Sequence, residues 1–387
     1  MDLIDLLRRH QFRGVPKSVD ELLARTILDV STCRFRDQIP DLPESLGLFV
    51  ALKVLDVSYC FVLTKLPEAI GKLQALQRLY AVQCSMLTSL PESFGGLTSL
   101  AQLDLHGCSN LKTLPESMGR LSSLWSLELA GCFALERLPE SLGCMMSLSL
   151  LDLAGCRTLT ALPESLGQLT SLTGLNLSYC SSLRNLPGSL GQLAALCTLN
   201  LGSCYALTRL PESLGQLTAL CILDIKRCVA LRNLPESLGQ LSALKKLLLQ
   251  SCSGLTKLPE SMGGHMTALC VLHADSCSAL TCLPASLWQL ISLRELNISC
   301  CSALTDLPDS LGRLTALTYL RLDGCVAIAR LSQHMTNEML FSQKTVAIIS
   351  ELQARDSRMK VLVLIAAARK HRYFHLPSEL WVLTYRK

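Results

Sequence analysis

Cysteine recurs at a nearly constant interval along most of this chain. Thirteen of the nineteen cysteines follow one another at steps of 24 residues, apart from one step of 27 and one of 25. These thirteen, here called the cysteine ladder, are Cys33, Cys60, Cys84, Cys108, Cys132, Cys156, Cys180, Cys204, Cys228, Cys252, Cys277, Cys301 and Cys325. Prolines repeat in phase with them, and two residue types sharing one period indicate a chain built of similar stacked units. Such a stack offers a long surface rather than one enclosed pocket.

A single repeat predicts one helical turn and one short strand. The stretch Leu172-x-x-Leu175-x-Leu177-x-x-Cys180 alternates apolar and polar residues, which is typical of a strand. Before it, Leu-Pro-Glu-Ser-Leu-Gly at residues 162–167 predicts one turn of α or 3₁₀ helix. Pro163 suits the first helical position of that turn, and Gly167 suits a left-handed C-cap. The Glu of this segment recurs in most repeats, and a carboxylate there suits the N-terminal end of a short helix.

Neither half of a repeat can bury its leucines alone, so the units must stack around one continuous core. The predicted fold class is therefore α/β: a solenoid of about thirteen 24-residue repeats with a parallel sheet on its concave side. We expect it to curve into a horseshoe, because the helical side is bulkier than the strands. The predicted organisation is an N-terminal cap at residues 1–14, repeats at residues 15–331, and a basic, mainly helical cap or tail at residues 332–387.

Irregular segments predict local departures from the repeat. One residue is inserted near Gly264 and His265, and Trp288 takes the place of the turn glycine, so we expect a bulge at each point. In the tail, residues 337–355 and 358–372 have helical patterns. The final Leu376-Pro-Ser-Glu-Leu380 segment is either a degenerate repeat or the start of an F-box-like helix.

The Leu-Pro-Glu-Ser-Leu-Gly consensus with its terminal Cys resembles the leucine-rich repeat superfamily over residues 15–331. It looks most like the repeats of plant intracellular disease-resistance proteins of the nucleotide-binding, leucine-rich repeat type. It also resembles the plant Ras-group leucine-rich repeat proteins. The resemblance implies a surface that recognises a pathogen-derived or host protein. No segment of the sequence resembles the nucleotide-binding switch domain that precedes the repeats in such receptors.

The cysteine ladder also bears on the compartment. At equivalent ends of stacked strands these side chains should point inward, as small apolar groups whose S–H donates to turn carbonyls. So many unpaired thiols suit a reducing compartment. The N-terminus has acids where a signal peptide has bases, and the apolar run at residues 361–368 is too short to span a bilayer. We therefore predict a cytoplasmic protein without a membrane span.

Net charge is concentrated in the tail. Residues 332–387 contain nine Lys or Arg and four Asp or Glu, which accounts for the whole net charge of +5 and leaves the remainder neutral. A neutral body argues against nucleic-acid binding. The tail is predicted to be a solvated helical cap; contact with anionic lipid or a partner is the alternative.

Catalytic and metal-binding patterns are weak in this sequence. No Gly-rich stretch ends in Gly-Lys-Ser or Gly-Lys-Thr, so no phosphate-binding loop is predicted. Cys270, His273, Cys277 and Cys282 have metal-like spacing, but the repeat frame sends their side chains in different directions. We predict no metal, no cofactor, no small-molecule substrate and no enzymatic activity.

The candidate partner-binding residues occupy mainly the variable position between or beside the strand leucines, on the predicted concave face. Acids prevail in the N-terminal half, and four cations are predicted to form a basic cluster further on. An ordinary solvated face is the alternative interpretation. The candidates are Asp56, Tyr80, Asp104, Glu128, Asp152, Asn176, Asn200, Asp224, Lys226, Arg227, Lys245, Lys246, His273, Asn297 and Arg321.

These observations predict a non-catalytic protein-interaction module of an intracellular signalling or immune type, which binds a protein partner on its concave face. The alternative is a substrate receptor or adaptor of a ubiquitin ligase. That role would require residues 372–387 to bind an adaptor protein.

Overall fold

The computed structural model describes residues 23–31, 41–305, 307, 314, 316–325 and 360–362. The chain divides into two compact units, Met1–Leu199 and Asn200–Lys387. The cap predicted for residues 1–14 and the first member of the cysteine ladder, Cys33, lie outside the described residues.

The first unit alternates three-residue strands with five-residue 3₁₀ turns. Its strands are β1 (Ile27–Asp29), β2 (Val54–Asp56), β3 (Arg78–Tyr80), β4 (Gln102–Asp104), β5 (Ser126–Glu128), β6 (Leu150–Asp152) and β7 (Gly174–Asn176). The 3₁₀ turns are Glu44–Leu48, Glu68–Lys72, Glu92–Gly96, Glu116–Arg120, Glu140–Cys144, Glu164–Gln168 and Gly188–Gln192. Strand β8 (Thr198–Asn200) contains the division between the units.

The second unit repeats the same plan. Its strands are β9 (Ile222–Asp224), β10 (Lys246–Leu248), β11 (Val271–His273), β12 (Glu295–Asn297), β13 (Tyr319–Arg321) and β14 (Lys360–Leu362). Its 3₁₀ turns are Glu212–Gln216, Glu236–Gln240 and Ala285–Gln289, and a one-turn helix α1 spans Met262–His265.

Within each unit, neighbouring strands pair in parallel, and strand order follows chain order. The register aligns the middle leucines, such as Leu55 with Leu79 and Leu247 with Leu272, and these leucines are buried. Because side chains alternate along a strand, the first and third residues share the opposite side, here called the outward face. The predicted repeat solenoid with a parallel sheet is confirmed.

The cysteine ladder forms the predicted buried row. Every described member is at most 5% exposed. Ten thiols donate to a main-chain carbonyl in the preceding repeat, as Cys156 does to Leu129 at 3.4 Å and Cys252 to Ile225 at 3.0 Å. Burial raises the pKa of Cys132 and of Cys252 to about 12, so these thiols stay protonated.

Two details of the helical turn differ from prediction. Pro163 is not the first helical residue: its backbone is extended, with φ −67° and ψ 148°, and the 3₁₀ turn begins at Glu164. Gly167 is not a left-handed cap either, because its φ is not positive. A Cβ at Gly167 would lie 2.5 Å from the carbonyl oxygen of Ser189 in the next repeat. Glycine is therefore required for the close approach of adjacent turns.

Positive φ angles occur instead at the residue before each ladder cysteine. Twelve described residues share this conformation, and only four are glycines. They are Tyr59, Gln83, Gly107, Gly131, Gly155, Tyr179, Ser203, Arg227, Ser251, Ser276, Cys300 and Gly324. The chain thus reverses direction after each strand through a left-handed residue, whatever its side chain.

The two predicted bulges have different outcomes. The inserted residue is accommodated by α1, which replaces the 3₁₀ turn of that repeat. The next ladder residue, Cys277, still donates to the equivalent carbonyl, that of Leu249, at 3.2 Å. At Trp288 no bulge forms, because Ala285–Gln289 keeps the ordinary 3₁₀ backbone.

The tail departs from the helical prediction where it is described. Lys360–Leu362 forms strand β14, which pairs in parallel with β13. The edge of β13 offers unpaired main-chain groups, and Val361 has a high strand propensity, so pairing there overrides the helical pattern. The rest of residues 332–387 lies outside the described part of the chain.

The recurring turn glutamates have the predicted structural role, but each acts on the next repeat rather than on its own. The carboxylate of Glu164 accepts hydrogen bonds from the backbone N–H groups of Gly188 (3.0 Å) and Ser189 (2.9 Å). The glutamates with such bonds are Glu44, Glu68, Glu92, Glu116, Glu164, Glu212, Glu236 and Glu260. Each of these carboxylates therefore caps the first turn of the following 3₁₀ segment, or of α1 in the case of Glu236.

We expect Glu164→Ala to destabilise the protein near neutral pH by up to about 1 kcal/mol, since the caps are exposed. The hydrogen bonds from Ser189 and Gly188 lower the pKa of Glu164. The contribution of Glu164 to stability is therefore fully present above the pKa of a glutamate in the unfolded chain, roughly 4.3. It is lost as the pH falls through the lower pKa that Glu164 has in the folded protein. Urea unfolding at several pH values should show the difference from wild type vanishing in acid. Glu136→Ala, which removes an exposed glutamate, should show no such dependence.

Candidate protein-interaction surface

The predicted site residues of the first unit form one row on its outward face. Each is the third residue of its strand and is half-buried. The register places Asp56, Tyr80, Asp104, Glu128, Asp152 and Asn176 beside one another in successive strands. The structure therefore brings all six together as neighbours.

In both units, most residues at the third position of a strand also have a structural role that the sequence interpretation missed. Their Oδ1 atoms accept a hydrogen bond from the backbone N–H two residues later, at 2.8–3.2 Å. The residues are Asp29, Asp56, Asp104, Asp152, Asn176, Asn200, Asp224 and Asn297. This Asx turn closes each strand. The recurrence of Asp or Asn in one slot at the repeat period was the signal for it.

Tyr80 and Glu128 are the exceptions in the first unit. Glu128 accepts a hydrogen bond from the Ser126 hydroxyl at 3.1 Å. Burial raises the pKa of the Glu128 carboxyl, and the negative charges of Asp152 and Asp104 raise it further. The longer side chain of Glu128 thus carries a partly desolvated carboxylate between two others.

In the second unit, the predicted basic cluster is not a single cluster. Lys246 begins β10 and is level with Ile222, whereas Lys226 follows the end of β9. Ile222 is two residues, or about 6.6 Å, before the end of β9 at Asp224, and Lys226 lies in the turn beyond that end. Lys226 also forms an ion pair with Asp224 at 3.0 Å. Lys245 and Lys246 therefore lie at one end of the strands, and Lys226 and Arg227 lie beyond the other.

The remaining predicted residues of the second unit contact one another or their neighbours. His273 Nδ1 lies 3.2 Å from Gln250 Nε2, and His273 Nε2 lies 3.5 Å from a Glu295 carboxylate oxygen. Asn297 donates to Asp275 at 3.0 Å. Arg321 binds Asp323 through two nitrogens, which raises the pKa of Arg321. Glu295 and Asp323 therefore each have a basic neighbour.

The cysteines with metal-like spacing are engaged separately. The Cys277 thiol is buried and donates to Leu249, whereas the Cys270 thiol donates to Ala268 at 3.3 Å. Over the described part of the chain, no three His, Cys, Asp or Glu side chains are arranged to hold a metal ion.

Two apolar residues of the outward surface were not among the predicted site residues. Leu150, the first residue of β6, is 41% exposed, and Trp125, just before β5, is 39% exposed. The residue type at these two positions varies between repeats, so no periodic pattern marks them.

Two family models for leucine-rich repeats match parts of this chain. A model described as a leucine-rich repeat region matches residues 8–136, and a leucine-rich repeat model matches residues 292–314. Both matches agree with the parallel strands and 3₁₀ turns described above. The chain contains leucine-rich repeats. A search of curated proteins found no match to its sequence.

Three solved structures illustrate the likeness of this leucine-rich repeat protein to others. The Drosophila Toll–Spatzle complex aligns with a TM-score of 0.57 at 19% identity, over 84% of this chain and 42% of that chain. The leucine-rich repeat domain of the type III effector XopL aligns with a TM-score of 0.48 at 25% identity, over 64% of this chain and 79% of that chain. The plant peptide hormone receptor RGFR1, in complex with RGF2, aligns with a TM-score of 0.41 at 24% identity, over 74% of this chain and 58% of that chain. The Toll alignment supports the fold alone.

The helices that the structure describes are short. None in the described ranges has the length and apolar character needed to cross a bilayer.

Proposed function

We propose that this leucine-rich repeat protein is a non-catalytic recognition module that binds a protein partner on its outward face. One contrast carries the proposal. The second residue of each strand from β1 to β13 is apolar and buried, while the first and third residues differ from repeat to repeat and, apart from the buried Ser126, remain accessible. A rigid framework thus presents a variable set of side chains on one face, which suits specific recognition of a macromolecule.

We further propose that the protein acts inside the cell, in signalling or immune recognition. The buried free thiols of the cysteine ladder support a reducing compartment. The resemblance of its repeats to plant disease-resistance and Ras-group proteins supports the signalling or immune role. The ubiquitin-ligase alternative stays a prediction, because residues 372–387 lie outside the described chain.

Site-specific photo-cross-linking tests where the partner binds. A photoreactive residue would replace Gln102 or Lys246 on the outward face, or the exposed Gln168 or Gln216 on the 3₁₀ turns as matched controls. Each variant would be expressed in the cells that make the protein, and captured proteins would be identified by mass spectrometry. We expect one partner to be captured from an outward position and not from either turn. Capture of that partner from the turn positions alone would contradict the proposal.

A further inference from the structure

Leu150 and Trp125, which are 41% and 39% exposed, define an apolar area of the first unit. Leu150 and Trp125 occupy adjacent repeats, and the Trp125 carbonyl accepts the backbone N–H of Leu150 at 3.0 Å. Gly174 is next to Leu150 in the row of first strand residues, and a Cβ there would lie 2.9 Å from Leu150 Cδ2. The leucine side chain therefore lies over a position without a side chain. Exposed apolar side chains of this size are the kind of surface that partners cover.

Negative charge lies directly beside this apolar area. Asp104, Glu128 and Asp152 are aligned in β4, β5 and β6 at the strand spacing of about 4.8 Å. Asp104 and Asp152 each use Oδ1 to close their own Asx turn. Their Oδ2 atoms have no hydrogen-bond or ion-pair partner within the described chain.

The two units differ in how their acids are neutralised. The ion pairs of Lys226 with Asp224 and of Arg321 with Asp323 lie in the second unit, and so does the 3.5 Å contact of His273 with Glu295. Within the described part of the chain, the carboxylates of β4 to β6 form no ion pair, and the basic group that acts on them is His106, whose charge lowers the pKa of Glu128 against the effect of burial. Like charges on adjacent strands destabilise a sheet, and a cation supplied by a partner would remove that cost.

We infer that the first unit binds a basic, apolar segment of its protein partner. Lysine or arginine side chains would contact Asp104, Glu128 and Asp152, and a large apolar side chain would cover Leu150 and Trp125. Leu150 and Asp152 are two residues apart on one face, or about 6.6 Å. Alternate side chains of an extended segment have the same separation, so one strand-like segment can reach both areas. This inference rests on the proposed function and names the chemistry of the partner.

A designed peptide probe tests the inference without knowledge of the natural partner. The probe is a fluorescent eight-residue peptide that alternates lysine and leucine, with a glutamate–leucine peptide as its control. The test variant combines Asp104→Asn, Glu128→Gln and Asp152→Asn. It should fold normally, because Asn176 closes the same Asx turn in the next repeat at 3.1 Å. A charge-matched control combines Glu92→Gln, Glu136→Gln and Glu140→Gln, away from the outward face.

We expect the lysine–leucine peptide to bind the test variant about tenfold more weakly than wild type, and the control variant within about twofold of wild type. Added salt should weaken binding to wild type and have little effect on the test variant. Leu150→Ser with Trp125→Ala should weaken binding while the salt dependence stays.

Several results would overturn the inference. One is wild type that fails to bind the lysine–leucine peptide, or binds the glutamate–leucine peptide equally well. Another is a test variant that binds as tightly as wild type, or no more weakly than the control variant. A partner captured through Gln102 that keeps its full affinity for the test variant would also refute it, while leaving the proposed function intact.

Discussion

Cys156→Asp should unfold the repeats around it, with a loss of at least about 3–5 kcal/mol or a failure to fold. The Cys156 side chain is 0% exposed, and its thiol donates to the carbonyl of Leu129 at 3.4 Å. A carboxylate there would be a second acceptor facing that carbonyl. Burial already raises the pKa of the Cys156 thiol, which shows how strongly the position disfavours negative charge.

Milder substitutions of the same residue separate charge from volume. Cys156→Ala removes the sulfur and its weak hydrogen bond, so we expect a loss of about 1–2 kcal/mol. Cys156→Ser keeps a donor for the Leu129 carbonyl. Cys144→Asp is the matched control, since Cys144 is exposed on a 3₁₀ turn; its effect should stay within about 0.5 kcal/mol.

Urea unfolding followed by circular dichroism would give the stabilities, and hydrogen exchange would locate the damage. Because each repeat contacts only its neighbours, the loss of protection should centre on the repeats of Cys132, Cys156 and Cys180. An unchanged unfolding midpoint for Cys156→Asp would mean that the thiol does not point into the core.

The features predictable from the sequence are those that one repeat encodes by itself. The period, the alternation around Leu175 and Leu177, and the inward cysteine follow from local pattern and burial. The Asx turns could also have been found, because Asp and Asn recur in a slot two residues before the N–H that they accept. An accessible acid on a strand is also a common feature of binding surfaces, and this favours the interpretation of these residues as exposed charges.

Features that depend on contacts between repeats were not predictable from one repeat. Glu164 suits the start of its own turn in sequence, but its carboxylate binds the next repeat. The four cations of the predicted basic cluster lie in neighbouring repeats, but the strand register separates Lys246 from Lys226 along the strand direction. Likewise the tail pattern at Lys360–Leu362 favours helix until the free edge of β13 is available.

The turn glycines are the sharpest case of such a contact. At most of the described turn glycines, a Cβ would fall within 2.7 Å of the next repeat's turn, typically at a serine carbonyl oxygen. In the first unit the pairs are Gly71 with Ser93, Gly95 with Ser117, Gly119 with Ser141, Gly143 with Ser165 and Gly167 with Ser189. The glycine is thus required for the spacing between repeats, and not for the conformation of its own backbone.

Gly167→Ala should therefore destabilise the protein by about 1–3 kcal/mol, because the new methyl group would meet backbone atoms that cannot move independently. The Cβ would lie 2.5 Å from the Ser189 oxygen and 2.6 Å from the Ser189 Cβ. The adjacent turns would have to separate, which weakens the packing of the buried leucines between them. The shift in the urea midpoint measures this cost.

Gly188→Ala is the matched control in the same unit. A Cβ at Gly188 meets nothing closer than the Glu164 carboxylate at 4.0 Å. Its φ is not positive, so the substitution should be neutral or should stabilise by about 0.4–1 kcal/mol through the unfolded chain.

Gly167→Asn distinguishes the two explanations for Gly167. Asparagine tolerates a left-handed backbone, so it would be accepted at a C-cap, but its Cβ meets the same Ser189 oxygen. We expect Gly167→Asn to be at least as destabilising as Gly167→Ala; a well-tolerated asparagine would restore the C-cap interpretation.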